Sequence, residues 1–400
     1  MSNLKLIPGS IFGGMLLIAG CCIGAGMLGL PILLGLCGFM PSMLLLFASW
    51  IFMTFTGLLL VEINGWFYEQ VNIISMSKKA LGPIGQAISW ILYLSLFYSL
   101  GVAYISGGGK IFFSFFPFFG SSVLAIIFFV AIFASLVFLG TKIVDFSNRL
   151  LMVGLVVSYL IMTFLAVPKI NSSYFTYVNM KYFLSPLPVL ITSFGFHNMI
   201  PSLTAYMKGD LKRTKIAIIG GSAISLIIYF FWVVIVLGII PLEGENGLRE
   251  AFLKGNEATI PLRNILKSKI IISFAGFFAF FAIVTSFLTQ TLGLTHFLAD
   301  GLKIKINSKN NWWLILLAVV PSTVFSLIYP DVFFKALDFA GAYCAVILFG
   351  ILPALMAWIG RYITKETSIY HVRGGKLSLI VVFLFSFIII LSQLLIFFGF

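Results

Sequence analysis

The chain has 400 residues, of which 61% are hydrophobic and 9% charged, with 44 Phe and a formal net charge of +13. A soluble chain of this size carries roughly 25% charged residues because its surface faces water. Two or three soluble domains are therefore excluded, and an all-α polytopic membrane protein is expected.

The basic excess does not form a patch for nucleic acid. It lies in short clusters between apolar runs, where Lys and Arg set membrane orientation. Cys21, Cys22, Cys37 and Cys344 lie in apolar segments without CxxC spacing, and the three histidines are far apart. Neither a disulfide framework nor a metal site is expected. HExxH and Walker motifs are missing, as is GxSxG in a strand-turn-helix setting, so no cofactor is expected.

A membrane-crossing helix needs about 20 apolar residues. In chain order, eleven stretches qualify: 10–36, 38–62, 87–112, 121–140, 150–168, 184–204, 216–240, 269–292, 312–329, 336–358 and 377–398. The first contains Ile18-Ala19-Gly20-Cys21, the form of a lipoprotein cleavage box. The apolar run continues through Leu36, so cleavage would divide a membrane helix, and the segment reads as a retained span. With the N-terminus cytoplasmic, sixteen Lys and Arg fall inside and nine outside. Five of the nine (Arg249, Lys254, Arg263, Lys267, Lys269) belong to one long connection. The bias predicts a cytoplasmic N-terminus and, with eleven spans, a periplasmic C-terminus.

The longest connections, 63–86 and 241–268, each follow the second span of a five-span unit. Each holds a short helix, expected over Ser75–Leu81 and Leu248–Leu253. Five is odd, so a second unit of five must enter from the opposite side. The expected organisation is one transporter domain over residues 1–400. Repeat one covers about 10–168, an inverted repeat two covers 184–358, and the helix 377–398 is additional.

The first spans of the two units match as well. Span 1 reads Gly20-Cys21-Cys22-Ile23-Gly24-Ala25-Gly26-Met27-Leu28-Gly29-Leu30-Pro31. Span 6 reads Ser193-Phe194-Gly195-Phe196-His197-Asn198-Met199-Ile200-Pro201. Neither composition suits an uninterrupted helix. Interrupted helices in matching places point to a transporter site near the bilayer midplane. Unwinding exposes N–H groups that favour an anion and carbonyls that favour a cation, the two ends of an amino-acid zwitterion. The plainer alternative is that these glycines only allow close helix packing.

Several stretches resemble the hydroxy/aromatic amino acid permease family. They are Ala19-Gly20 through Gly24-Ala25-Gly26-Met27-Leu28 to Pro31, and Thr192-Ser193-Phe194-Gly195-Phe196-His197 to Ile200-Pro201-Ser202-Leu203. Gly220-Gly221-Ser222 to Tyr229 and Trp232 match too, as do Thr285-Ser286-Phe287-Leu288, Leu298-Ala299-Asp300 and Ala340-Gly341 to Trp358. The resemblance covers all eleven spans and implies a LeuT-like fold of five plus five inverted helices. It also implies an inner-membrane location and proton-driven uptake of an aromatic amino acid, tyrosine or tryptophan. Departures from the family pattern are Cys21-Cys22 in span 1, Asn198 after the histidine, and the polar Thr289-Gln290-Thr291 in span 8.

On the residues themselves, Gly24, Ala25 and Gly26 are candidates for a carboxylate cradle made by backbone. Phe194 and Phe196, flanking Gly195, are candidates to stack on an aromatic ring, against packing as the plainer role. Tyr93, Phe97 and Tyr104 share one face of span 3, and Tyr98 is a candidate partner for the substrate carboxylate. His197 is the lone histidine within a span. It is expected either to carry the coupling proton or to shape the pocket as a neutral ring. Thr285 and Ser286 are expected to back-bond along their helix, and in the fold resembled such a hydroxyl pair can hold sodium, the alternative coupling ion. Glu62 is expected to reach the interface, Asp338 to pair with Lys335, and His296 and His371 to be solvated. In loop 241–268, Leu248, Ala251 and Phe252 form a stripe suited to a lid. The partners implied are an amino acid, a coupling ion and the bilayer. A membrane enzyme is disfavoured because the spans hold almost no ionisable residues, and a channel because two symmetric breaks suit an occluding site.

Overall fold

A chain in hydrocarbon must satisfy its own backbone polar groups, and this one does so with helices. The computed structural model describes residues 9–67, 71–266, 268–304 and 311–397. Lys5, Lys267, Lys305 and Lys309 of the charge count lie outside them.

The helices are α1 (Ile11–Cys22), α2 (Ala25–Cys37), α3 (Phe39–Asn64), α4 (Ile73–Phe115), α5 (Ser122–Phe138) and α6 (Thr141–Ala166). Then come α7 (Leu187–Ser193), α8 (Ile200–Tyr206), α9 (Leu211–Ile239), α10 (Leu248–Leu253), α11 (Thr259–Leu266) and α12 (Lys269–Gly301). The last are α13 (Asn311–Ile328), α14 (Phe333–Phe339), a π-helical stretch Ala340–Ile351, α15 (Leu352–Tyr362) and α16 (Gly375–Phe397).

Among the described residues, seven helices are long and apolar enough to cross a membrane, and α1 with α2, bent by 59°, makes an eighth. The chain is a multi-pass membrane protein. Eleven crossings were expected. The other three stretches, 121–140, 184–204 and 312–329, contain α5, the α7–α8 pair and α13. A 17-residue helix such as α5 is about 26 Å long, short of a hydrocarbon core of about 30 Å.

The two loop helices form. Asn72 caps the first by accepting from the Ser75 N–H at 2.9 Å. That helix joins span 3 across Gly82, whose φ of 72° breaks the helical path before Pro83. Leu248–Leu253 is helical as expected. It lies on what we term the lid face, with α11. The opposite, N-terminal face carries Gly9, the end of α12 and the 363–374 connection. At the centre, α1 and α3 pack on α9, α2 packs on α7, and α12 packs on α6 and α4.

Candidate functional site

The first break has a specific construction. Helix α1 closes when the Ile23 N–H reaches back to the Ala19 carbonyl. Gly24 is extended, and α2 starts at Ala25 without a side-chain cap of its own. The first turn of a helix leaves N–H groups without internal partners. Ser286 on α12 answers one of them, its Oγ accepting from the Ala25 N–H at 3.0 Å. A Cβ on Gly24 would collide with that same Oγ, which is why glycine stands there.

Pro31 has no N–H and strands the Met27 carbonyl four residues earlier. Trp232 on α9 takes up this acceptor, donating from Nε1 at 2.9 Å. One residue on, the Leu28 carbonyl accepts the Ala258 N–H from the lid connection at 3.0 Å. The 241–268 connection is thus hydrogen-bonded directly to the half-helix that begins at the break.

The second break runs from Ser193 to Ile200, with a single 3-10 turn over His197–Met199. Tyr229 on α9 joins the two breaks. Its hydroxyl donates toward the Cys22 carbonyl at 2.5 Å and the Ser193 carbonyl at 2.8 Å, the C-terminal ends of α1 and α7. Gly26 crosses the same place, where a Cβ would stand 3.0 Å from Ser193 Oγ. That Oγ is buried and has no hydrogen-bond partner.

The structure therefore brings Gly24, Ala25, Gly26, Gly195 and Ser286 toward one crossing, with Gly26, Gly195 and Ser286 only partly buried there. Phe194 is fully buried, edge-on to Tyr229 with centroids 5.0 Å apart. Phe196 packs into the space left by Gly57 on α3. Neither ring presents surface to a ligand in this conformation. His197 is fully buried between the rings of Phe196 and Phe349, at 5.0 and 4.7 Å. Its Nε2 shares a 2.9 Å hydrogen bond with Thr56 Oγ1, and its Nδ1 has no partner.

Tyr98 points elsewhere: its hydroxyl donates to the Leu317 carbonyl of α13 at 2.9 Å. Tyr93 is the span 3 tyrosine at the second break, donating to Asn198 Oδ1 at 2.8 Å. Tyr104, also on α4, is partly buried against the core. Thr285 back-bonds to the Phe281 and Ala282 carbonyls. A cavity of about 510 Å³ enters from the N-terminal face and ends beside the second break, lined by Tyr93, Phe97, Asn198, Gly293, Phe297 and Asp300.

The sequence profile of the tryptophan/tyrosine permease family matches residues 8–393. The chain belongs to that family. The permease is 32% identical to tyrosine-specific transport system 2 of Haemophilus influenzae, over 99% of this chain and 98% of that one. It is 31% identical to the tryptophan-specific transport protein of the same organism, over 96% of each chain. The crystal structure of MhsT in complex with L-phenylalanine matches with a TM-score of 0.67 over 98% of this chain and 99% of that one, at 14% identity. That likeness is one of fold, the LeuT fold. Family membership makes the permease a transport protein and not an enzyme.

Sequence reasoning gave Tyr229 and Trp232 no role beyond their place in a family motif. The signal was Pro31, which strands a carbonyl that needs a donor. Two other expectations are corrected. Glu62, at the end of α3, is fully buried and accepts from Arg361 Nε and Nη2 at 2.7 and 2.5 Å and from the Val372 N–H at 2.7 Å, partners that sequence reasoning missed. His371, expected in solvent, contacts Glu62 at 3.3 Å while still half exposed. Asp338 makes no pair with Lys335, and its Oδ1 is buried without a partner.

Proposed function

We propose that the permease imports an aromatic amino acid, tyrosine or tryptophan, across the inner membrane by proton symport with alternating access. The five-plus-five inverted repeat and the cytoplasmic N-terminus belong to the same reading. The observation that supports it best is the pair of helix breaks joined by Tyr229, in a chain related along its whole length to tyrosine- and tryptophan-specific transport proteins.

In this reading the first turn of α2, at Gly24, Ala25 and Gly26, receives the substrate carboxylate. A helix N-terminus carries a partial positive charge equivalent to about half a proton, and its N–H groups point at the ligand. The carbonyl end of α7, with Gly195 and the unpartnered Ser193 Oγ, receives the ammonium group. Phe194, Phe196 and His197 form the wall behind the second break. His197 acts there as a pocket-shaping ring fixed by Thr56, and its neutral imidazole needs no counter-charge. Of the span 3 tyrosines, Tyr104 takes the place beside the substrate that sequence reasoning gave to Tyr98. The cavity on the N-terminal face is the exit path, and α10 with Phe252 against Phe334 is the closed outer lid.

Sodium coupling is the second reading, favoured by the position of Ser286 at the first break with Thr285 beside it. The experiment is counterflow in proteoliposomes with a panel of labelled amino acids, in sodium-free and sodium-containing buffer. Tyrosine or tryptophan exchange without sodium supports proton symport. A strict sodium requirement moves the coupling site to Thr285 and Ser286.

A further inference from the structure

Asp338 is a carboxylate inside a membrane-crossing helix with no ion pair or hydrogen bond among the described residues. It lies five residues into the span that begins at Phe333, about 8 Å along the helix axis from the lid face. The residue is half-buried, and Oδ1 is wholly enclosed without a hydrogen-bond donor.

The charged groups around it are engaged or remote. Lys335, one turn earlier on α14, is exposed and forms no pair with it. On α4, which packs against α14, Lys110 is paired with Asp331 at 2.7 Å and donates to the Lys254 and Gly255 carbonyls. Tyr104 is the other titratable side chain on that part of α4, partly buried against the core. On α10, across the Phe252–Phe334 contact, Arg249 is paired with Glu243 and Glu250 with Lys254. Helix α7 carries no titratable side chain, α2 carries only Cys37 at its far end, and the π-helical stretch carries only Tyr343 and Cys344.

The position of α14 gives this carboxylate leverage. Leu337, the residue before Asp338, meets Gly29 of α2 together with Phe333 and Phe334. Gly341, one turn after it, lies so close to the Pro188 backbone of α7 that no Cβ fits. The turn bearing Asp338 is therefore wedged against one half of each broken helix. An ionised carboxylate without a partner is far costlier to bury than a neutral carboxyl. The closed packing of α14 on α2 and α7 thus favours a protonated Asp338.

We propose that Asp338 is the proton-binding site of the transport cycle, its neutral form allowing α14 to close on α2 and α7. One proton adds to the carboxylate while the lid face is open, giving a neutral carboxyl. It returns to water as hydronium when the helices separate toward the other face, leaving the carboxylate. The inference rests on the proton-symport reading above and assigns its carrier to a residue outside both breaks.

Two measurements on the full chain test it. In the first, purified protein is treated with a carbodiimide, which modifies protonated carboxyl groups in apolar surroundings, and the Asp338 peptide is quantified by mass spectrometry across a pH series. Modification that falls as pH rises supports the site. Modification that is absent, or constant with pH, overturns it. In the second, Asp338→Asn, which mimics the neutral acid, and Asp338→Glu, which restores a titratable group, are compared in proteoliposomes. Asp338→Asn should keep counterflow of labelled tyrosine or tryptophan and lose accumulation driven by a pH gradient, and Asp338→Glu should recover part of it. Asp338→Asn accumulating substrate as the unaltered protein does would overturn the proposal, as would equal failure of both variants in counterflow. If the unaltered protein exchanged no aromatic amino acid yet showed pH-dependent modification, the proton site would stand and the substrate reading would fall.

Discussion

Trp232 Nε1 donates to the Met27 carbonyl at 2.9 Å, the carbonyl that Pro31 leaves without its helical partner. Both groups are buried, so removing the donor exposes the acceptor's full desolvation cost, about 1–3 kcal/mol. Trp232→Phe should lower thermal stability by an amount in that range, with part of the loss due to the smaller ring. Pro31→Ala restores the helical N–H. Combined with Trp232→Phe, it should cost less than the sum of the two single changes. Strict additivity in that double-mutant cycle would show the two residues to be independent.

Gly24 and Ser286 make a second pair open to a cycle. Gly24→Ala drives a Cβ into Ser286 Oγ, the atom that caps α2. Uptake should fall by at least roughly tenfold, which needs about 1.4 kcal/mol of distortion. Gly24→Ala with Ser286→Gly opens the space again and should recover uptake above the Gly24→Ala level, though without the cap. The readout is initial uptake rate normalised to inserted protein.

Glu62 and Arg361 tie α3 to α15 on the N-terminal face, and the Val372 N–H adds the 363–374 connection to the same carboxylate. Arg361→Ala leaves a buried carboxylate with only the Val372 N–H and the half-exposed His371 beside it, and breaking a buried pair in this way costs about 3–5 kcal/mol. The variant should unfold earlier in detergent than the unaltered protein. Replacing both residues with Met should recover most of the loss, because an apolar pair of similar volume removes the stranded charge.

If the 241–268 connection is the lid of the proposed cycle, Glu257 should give its closure a pH dependence. Burial raises its pKa from 4.5 to about 7, while its bonds to Thr259 and the charges of Arg263 and Lys110 hold the rise in check. The closed lid thus binds the proton more tightly than an open one with the ordinary value. Its contribution to closure is fully present below 4.5 and is lost as pH rises through about 7. Hydrogen exchange over Leu248–Leu266 should therefore speed up between pH 5 and pH 8 by more than the intrinsic rates predict. Glu257→Gln should remove that excess.

Much of this was legible in the sequence because the signals are local. The glycines and prolines of both breaks, the lid helix Leu248–Leu253 and the back-bonding of Thr285 follow from composition and spacing within a few residues. What was not legible depends on partners distant in the chain. The Glu62–Arg361 contact spans 299 residues, so the partner of Glu62 could not be read from its neighbours. Tyr98 and Tyr93 differ by little more than one turn, yet helix rotation sends one to α13 and the other to the second break. Asp338 and Lys335 have helix-pair spacing, and the packing of α14 against α2 and α7 separates them.

The central claim is that the crossing of the two helix breaks is the substrate site of an aromatic amino acid transporter. Equilibrium binding of labelled tyrosine and tryptophan to the purified protein and to Gly26→Val tests it most directly. Valine there would press on Ser193 Oγ and the α2 N-terminus. The account predicts saturable binding of at least one of the two amino acids to the unaltered protein, and none to a Gly26→Val protein that still inserts and keeps its unfolding transition. Near-normal affinity in Gly26→Val, or no binding of either amino acid to the unaltered protein, would contradict it.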